Sequence, residues 1–190
     1  QVWLERSSLA PLLRMLGPIS SSRLLDVGTG TAELLRTLAT LPNQPEEAFG
    51  VDPCQGMLER AAALPESWRL LGASGEDLPF ADQSFDLVTA SWVLHVLEPG
   101  TRERVIAECV RVLKPGGRFG SVTIAPPRSA LAGILTAPAR WAARRYPSQL
   151  VGLTPLDPTG DLIRAGLTEP FRKRDFRGYP ALCLVATKPS

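Results

Sequence analysis

From residue 23 onward, short apolar runs alternate with stretches in which apolar residues return every three or four positions. The runs predict strands over Arg23–Val27, Ala48–Asp52, Arg69–Ser74, Phe85–Ala90 and Arg118–Ala125. Between them, Leu34, Leu35, Leu38 and Leu41 fall on one helical face. So do Val105, Ile106, Cys109, Val112 and Leu113, with Thr101 as the candidate N-cap. That helix is expected to stop at Lys114-Pro115-Gly116-Gly117, a C-terminal cation followed by helix breakers. A further helix is expected over Cys54–Ala63. Strand and helix in alternation are the pattern of βαβ units around a parallel sheet.

Three segments stand outside the alternation. Residues 1–17 predict an amphipathic helix with leucines at 9, 12, 13 and 16. Residues 126–154 look helical in part, with Arg128, Arg140, Arg144 and Arg145 beside Leu131, Ile134, Leu135 and Trp141. Residues 168–188 read as two strands about Gly178-Tyr179-Pro180, a connection too short for a parallel crossover, so the last strand should run antiparallel. The expected fold class is α/β: a doubly wound, mainly parallel sheet ending in an antiparallel C-terminal hairpin. No repeat or low-complexity tract interrupts it.

Length and composition narrow the function classes. At 190 residues, 44% hydrophobic and 21% charged, the chain suits one globular domain with a full core. It begins with Gln1 rather than Met, which reads as a trimmed start, and no apolar run approaches a membrane span. The three scattered cysteines (Cys54, Cys109, Cys183) and single histidine offer no metal-ligand spacing, so no metal site is expected and a reducing, cytoplasmic setting is. Arginine far exceeds lysine, 18 to 3, which suggests a high-GC bacterial source. The net charge of +2 is uneven: residues 1–125 carry 11 basic and 15 acidic side chains, residues 126–190 carry 10 and 4. Arg172-Lys173-Arg174 and Arg177 sit within a strand pattern and lack an aromatic stacking platform, which argues against a nucleic-acid partner.

The candidate chemistry starts at Asp26-Val27-Gly28-Thr29-Gly30-Thr31-Ala32-Glu33, a glycine loop running from strand into helix. Gly28 and Gly30 permit a tight turn and close approach of a ligand, although a strand–helix turn without a ligand would use the same residues. Asp52, 24 residues after Gly28, ends the next strand, where a carboxylate suits a ribose diol; it would also suit a helix cap before Cys54. Both features fit S-adenosylmethionine and nicotinamide dinucleotides alike. Glu33, where the dinucleotide fingerprint wants Gly or Ala, argues against a pyrophosphate.

Three further segments occur in order: Ala73-Ser74-Gly75-Glu76-Asp77-Leu78-Pro79-Phe80 through Phe85-Asp86-Leu87-Val88, then Ser91-Trp92-Val93-Leu94-His95-Val96-Leu97, then Arg111-Val112-Leu113-Lys114-Pro115-Gly116-Gly117-Arg118-Phe119. Together with the glycine loop and Asp52 they resemble the class I S-adenosylmethionine-dependent methyltransferases, over about residues 23–125. The match is closest to the type 11 small-molecule group that includes the quinone-biosynthesis C-methyltransferases. The resemblance implies a seven-stranded Rossmann-like sheet with a reversed last strand. It implies a single methyltransferase domain over 1–190: a cap helix at 1–17, a cofactor-binding core at 23–125, a substrate lid at 126–154, and a last helix with the β-hairpin at 155–190.

By position, the resemblance puts Asp26, Gly28, Thr29 and Gly30 around the methionine end of the cofactor and Asp52 on the ribose. It puts Pro53 and Met57 against the adenine, Ser74, Gly75 and Glu76 at its edge, and Ala90 and Ser91 beside the methionine pocket. The family's usual Asp is Ser at 74, so adenine selectivity is weaker or shared with Glu76, and Ala32 replaces the loop's usual third glycine. Trp92, His95 and Trp141 are candidates for the acceptor side. His95 either positions the acceptor or removes a proton from it. The implied reaction is transfer of the methyl of S-adenosylmethionine, leaving S-adenosylhomocysteine, to an O, N or C atom of an anionic or apolar small molecule. The alternatives are a non-catalytic S-adenosylmethionine-binding protein and an NAD-type oxidoreductase. Acceptor and oligomeric state stay open.

Overall fold

All five strands expected before residue 126 form, together with both strands of the C-terminal hairpin. The computed structural model describes residues 2–127, 137, 154–175 and 180–190. Its strands are β1 (Arg23–Val27), β2 (Glu47–Asp52), β3 (Arg69–Gly72), β4 (Phe85–Ser91), β5 (Leu113–Ile124), β6 (Thr168–Asp175) and β7 (Ala181–Thr187). They make one seven-stranded sheet in the order β3-β2-β1-β4-β5-β7-β6. Pairing is parallel from β3 to β5; β7 runs antiparallel to both β5 and β6. The helices are α1 (Val2–Leu16), α2 (Glu33–Leu38), α3 (Gln55–Leu58), α4 (Pro99–Val112) and α5 (Thr159–Arg164).

Because successive side chains of a strand point to opposite faces, each strand feeds two cores. Leu25, Val27, Val88, Ala90 and Phe119 pack with Val105, Ile106, Cys109 and Val112 of α4 and Leu162 of α5. Leu24, Leu87, Val122 and Cys183 pack on the other side with Leu9, Leu12 and Leu16 of α1 and Leu34, Leu35 and Leu38 of α2. Fully buried leucines such as Leu12, Leu24 and Leu87 are each worth about 1.5–3 kcal/mol in transfer free energy. Burial of this apolar stripe keeps α1 helical through Pro11, which removes a donor from its interior.

Several boundaries differ from those expected, each for a local reason. Helix α4 begins at Pro99, whose ring suits the first turn, with Glu98 as N-cap; Thr101 instead accepts a 3.2 Å hydrogen bond from Arg104. The helix expected over Cys54–Ala63 ends at Leu58, where the Arg60 and Ala61 amides bond three residues back and tighten the chain out of the α-helix. Residues Lys114 to Gly117 follow the end of α4 but already belong to β5, where Gly116 turns left-handed (φ +72°) and Gly116 and Gly117 exchange backbone bonds with Lys188 at 2.9 Å. Lys114 is not the cation at the end of α4, since it pairs with Asp86 at 2.7 Å. Lys188 takes that place, donating to the Val110 and Leu113 carbonyls at 2.7 Å each. Arg118 does the same for α1, donating to the carbonyls of Leu16 and Pro18.

Most of the predicted lid, with Trp141, Arg128, Arg140, Arg144 and Arg145, lies outside the described residues, as does the hairpin turn around Gly178 and Tyr179. Among the described residues no helix is long and apolar enough to cross a membrane.

Candidate functional site

The C-terminal ends of β1, β2 and β4 meet at one edge of the sheet, where open α/β folds bind ligands. After β1 the chain turns through Gly28 and Gly30, both with left-handed backbone (φ +69° and +55°). The Gly28 and Thr29 amides donate to the Val51 carbonyl at 2.9 and 3.0 Å, folding the loop back over β2. A Cβ at Gly28 would stand 2.6 Å from Val93, so only glycine fits between the loop and the segment after β4. Ala32, fully buried, holds a left-handed φ of 60° where the family's usual glycine would be unstrained.

Asp52 ties the loop to the turn between β2 and α3. Its Oδ2 accepts from the Gly30 amide at 2.9 Å and its Oδ1 from the Cys54 amide at 2.8 Å. Asp52 is thus turned toward the glycine loop, but it is not the cap of α3: the N-cap is Cys54, and Asp52 holds only the amide of that residue.

Asp26, 2% exposed, accepts a 2.8 Å hydrogen bond from the Thr89 hydroxyl on the adjacent strand. Burial pushes its carboxyl up to about 6. The hydroxyls of Thr89 and Thr29 oppose that rise, and the nearby charge of Asp52 adds to it.

Asp26, Gly28, Thr29 and Gly30 line one cleft of about 190 Å³, together with Met57, Ser91 and Trp92. Asp52 borders it through Gly30. Trp92 holds a left-handed φ of 61°, rare for a bulky residue, with its amide on the Val122 carbonyl at 2.8 Å. His95, 8% exposed, meets the Trp92 ring edge to face at 5.9 Å between centroids.

The remaining predicted residues are placed less directly. Pro53 is exposed beside Asp52, and Ala90 is fully buried in the α4-side core. The Ser74 hydroxyl accepts from the Glu76 amide at 3.2 Å, and Glu76 is held by Arg104 at 2.6 Å. Gly75 is packed on Val27 and Val105.

Four lining residues were not legible from sequence as site residues: Leu9, Thr31, Glu33 and Leu34. Glu33 was legible only as an obstacle to pyrophosphate, although its place at the start of α2, just past the loop, was the available signal. Leu9 comes from α1 by a tertiary contact that no local pattern encodes. Among the described residues, the cleft lining thus carries the carboxylates of Asp26 and Glu33 and no lysine, arginine or histidine. A second hollow of about 400 Å³, lined by Arg36, Thr37, Ala39, Thr40 and Ala63, touches none of the predicted residues.

A family model described as a methyltransferase domain matches residues 25–120, half of the chain. Among curated proteins, an uncharacterized methyltransferase of Mycobacterium bovis is 39% identical over 106 residues, covering 55% of this chain and 41% of that one. A demethylmenaquinone methyltransferase of Symbiobacterium thermophilum is 39% identical over 102 residues, covering 50% and 40%. The chain thus spans well under two thirds of these relatives' lengths. Among solved structures, an S-adenosylmethionine-dependent methyltransferase from Mesorhizobium loti superposes with a TM-score of 0.72 at 21% identity, covering 94% of this chain and 96% of that one.

Proposed function

This chain belongs to the methyltransferase-domain family, class I and type 11, and on that premise we propose that it transfers a methyl group from S-adenosylmethionine to an O, N or C atom of a small molecule by in-line displacement. One observation carries the reading: the cleft beside the glycine loop presents the carboxylates of Asp26 and Glu33 and, among the described residues, no cation of its own. A pyrophosphate there would meet the buried carboxylate of Asp26, which has hydroxyls and no cation beside it among the described residues, whereas a ligand bearing an ammonium finds a counter-charge in it. The cofactor fits this residue set.

In this reading Asp26, Gly28, Thr29 and Gly30 surround the amino-acid end of the cofactor. Asp52 accepts from the ribose hydroxyls while its bond to Gly30 keeps it aimed at the loop. Pro53 and Met57 flank the adenine, and Ser74, Gly75 and Glu76 meet its edge. Ser74 has a hydroxyl, already on an amide, where the family has a carboxylate, and the carboxylate of Glu76 is held by Arg104, so modest adenine selectivity is expected. Ser91, on the cleft lining, borders the methionine pocket, whereas Ala90, expected there too, is buried in the α4-side core.

The bound cofactor supplies an electrophilic methyl on positively charged sulfur. The residues of the chain align the acceptor and exclude water. Leu9, Met57 and Trp92 give the cleft apolar walls. His95, packed against Trp92, orients the acceptor or takes its proton. The acceptor is a small molecule, apolar or anionic. A cytoplasmic setting belongs to the same reading.

Calorimetry with S-adenosylhomocysteine and with NADH tests the cofactor. Binding of the first and not the second is expected, and the reverse would make the protein an oxidoreductase. Mass spectrometry of co-purifying ligands, followed by methyl-transfer assays on them, separates an enzyme from a non-catalytic binding protein.

A further inference from the structure

We propose that Leu9 of α1 is a specificity-determining residue: with Trp92 it closes the reacting end of the cleft and admits only a slender apolar group beside the sulfur. The inference rests on the cofactor reading above and deepens it, since that reading leaves the size of the acceptor open.

Helix α1 reaches the cleft by the way it lies on β5. Its C-terminal end is tied to Arg118, which donates to the Leu16 carbonyl. A Cβ at Gly120 would stand 3.0 Å from Leu16 and 3.1 Å from Leu12, so the missing side chain seats this face of the helix on the strand. Leu9 continues the same apolar face one turn beyond Leu12. From the middle of the Leu12–Leu16 pair it lies about 7.5 Å further along the helix, the rise of about two strand residues. Two residues beyond Gly120 is Val122, whose carbonyl takes the Trp92 amide at 2.8 Å. Leu9 and Trp92 accordingly belong to one apolar cluster and to one cleft lining. Leu9 is 2% exposed, and of the described residues of α1 it alone lines the cleft.

The sheet order sets which end of the cleft this is. Strands β2, β1, β4 and β5 lie side by side in that order. Asp52 ends β2, and Met57 follows on α3, its Cε 3.3 Å from where a Cβ on Gly30 would stand. Trp92 follows β4, and Leu9 lies over β5. Met57 and Leu9 therefore stand at opposite ends of the lining. With the ribose on Asp52, the nucleoside takes the Met57 end, and the sulfur with whatever attacks it faces Leu9 and Trp92. The cleft is only about 190 Å³, so the reach of one leucine decides what bulk this end can take.

The test is calorimetry with non-reacting probes: S-adenosylhomocysteine, and two analogues with nitrogen in place of sulfur, one carrying a methyl and the other a phenylethyl group. The wild-type protein is expected to bind the methyl analogue at least about 10-fold more tightly than the phenylethyl analogue. Leu9→Ala should cut that ratio about 10-fold by admitting the phenylethyl group, with affinities for the other two probes held within about twofold. Leu12→Ala, the same truncation one turn along the same apolar face but off the lining, should destabilise the protein and leave the ratio unchanged. An unchanged ratio in Leu9→Ala, an equal loss for all three probes, or the same change of ratio in Leu12→Ala would make Leu9 a packing residue; each overturns the proposal. Equal or tighter binding of the phenylethyl analogue by the wild-type protein, which needs no variant to fold, also overturns it. Failure of the wild-type protein to bind any probe removes the cofactor reading and this inference with it, whereas binding of all three without discrimination by size removes this inference only.

Discussion

The Thr89 hydroxyl lies 2.8 Å from Oδ1 of Asp26, across a parallel pair of strands in which the two residues are register partners. The sheet thereby holds a carboxylate at the floor of the cleft by a neutral donor instead of a cation. Such an arrangement costs stability in the empty protein and leaves the charge available to a ligand.

The first prediction measures that cost. The folded-state carboxyl of Asp26, raised to about 6 from 3.8, binds a proton more readily than in the unfolded chain. Stability therefore falls as pH rises between about 4 and 6, and the penalty is fully present above 6. Asp26→Asn should stabilise the ligand-free protein by about 1–3 kcal/mol at pH 7.5 and make little difference at pH 4. It should also weaken binding of S-adenosylhomocysteine. Urea melts of both proteins across that range check the sign, and parallel curves would show that burial does not perturb this group.

Asp52→Ala removes the acceptor of the Gly30 and Cys54 amides together with the proposed ribose contact. The expected loss is at least about 1–3 kcal/mol of cofactor binding. Titration calorimetry with S-adenosylhomocysteine reads it, and an unchanged Kd would count against the placing of the ribose.

Arg111 clamps the segment just after Glu76. It donates to the carbonyls of Phe80 and Leu78 at 2.8 and 3.1 Å and pairs with Glu108 at 2.7 Å, while Glu108 accepts from the Leu78 amide at 2.8 Å. Arg111→Met should cost about 2–3 kcal/mol in chemical denaturation. The hydrogen bond from Arg111 is also the main reason the Glu108 carboxyl lies below its ordinary value. A lowered carboxyl stabilises above its unfolded pKa and loses that contribution as pH falls. The wild-type protein should therefore lose its advantage over Arg111→Met on acidification, and a constant difference down to about pH 3 would contradict the clamp.

Lys188→Met leaves the last carbonyls of α4 without their cation, for an expected cost of about 1 kcal/mol. Amide exchange should speed up in the last turn of α4 and at Gly116, whose amide bonds to the Lys188 carbonyl, before it does in β1. Uniform acceleration across the sheet would assign Lys188 to global packing instead.

The strands were legible because apolar runs are local and the break at Gly28 is chemical; the strand expected from Arg118 begins at Leu113, so that Pro115 and its two glycines lie within it. Helix ends were less so. Thr101 is a good cap by type, yet the helix starts three residues earlier, with Glu98 as its cap, because Pro99 fits its first turn. Lys114 carries the right charge for the end of α4, yet Asp86 takes it and a lysine from the far end of the sequence fills the role. Within the site, Asp26, Gly28, Gly30 and Asp52 could be read because their spacing is set by one strand–loop–helix unit and the strand after it. Leu9 could not, because α1 reaches the cleft only after packing on the sheet. The strain at Trp92 was hidden for another reason: no residue type announces a left-handed backbone that a tryptophan adopts under tertiary constraint.

The insertion of β7 between β5 and β6 has a consequence for biosynthesis. Of the seven strands it is the last to leave the ribosome, and it lies inside the sheet, not at its margin. Until it arrives, the nascent chain carries β5 as a naked hydrogen-bonding rim, with the C-terminal end of α4 uncapped. Ribosome-stalled fragments ending before residue 181 should therefore be more aggregation-prone than fragments that include β7.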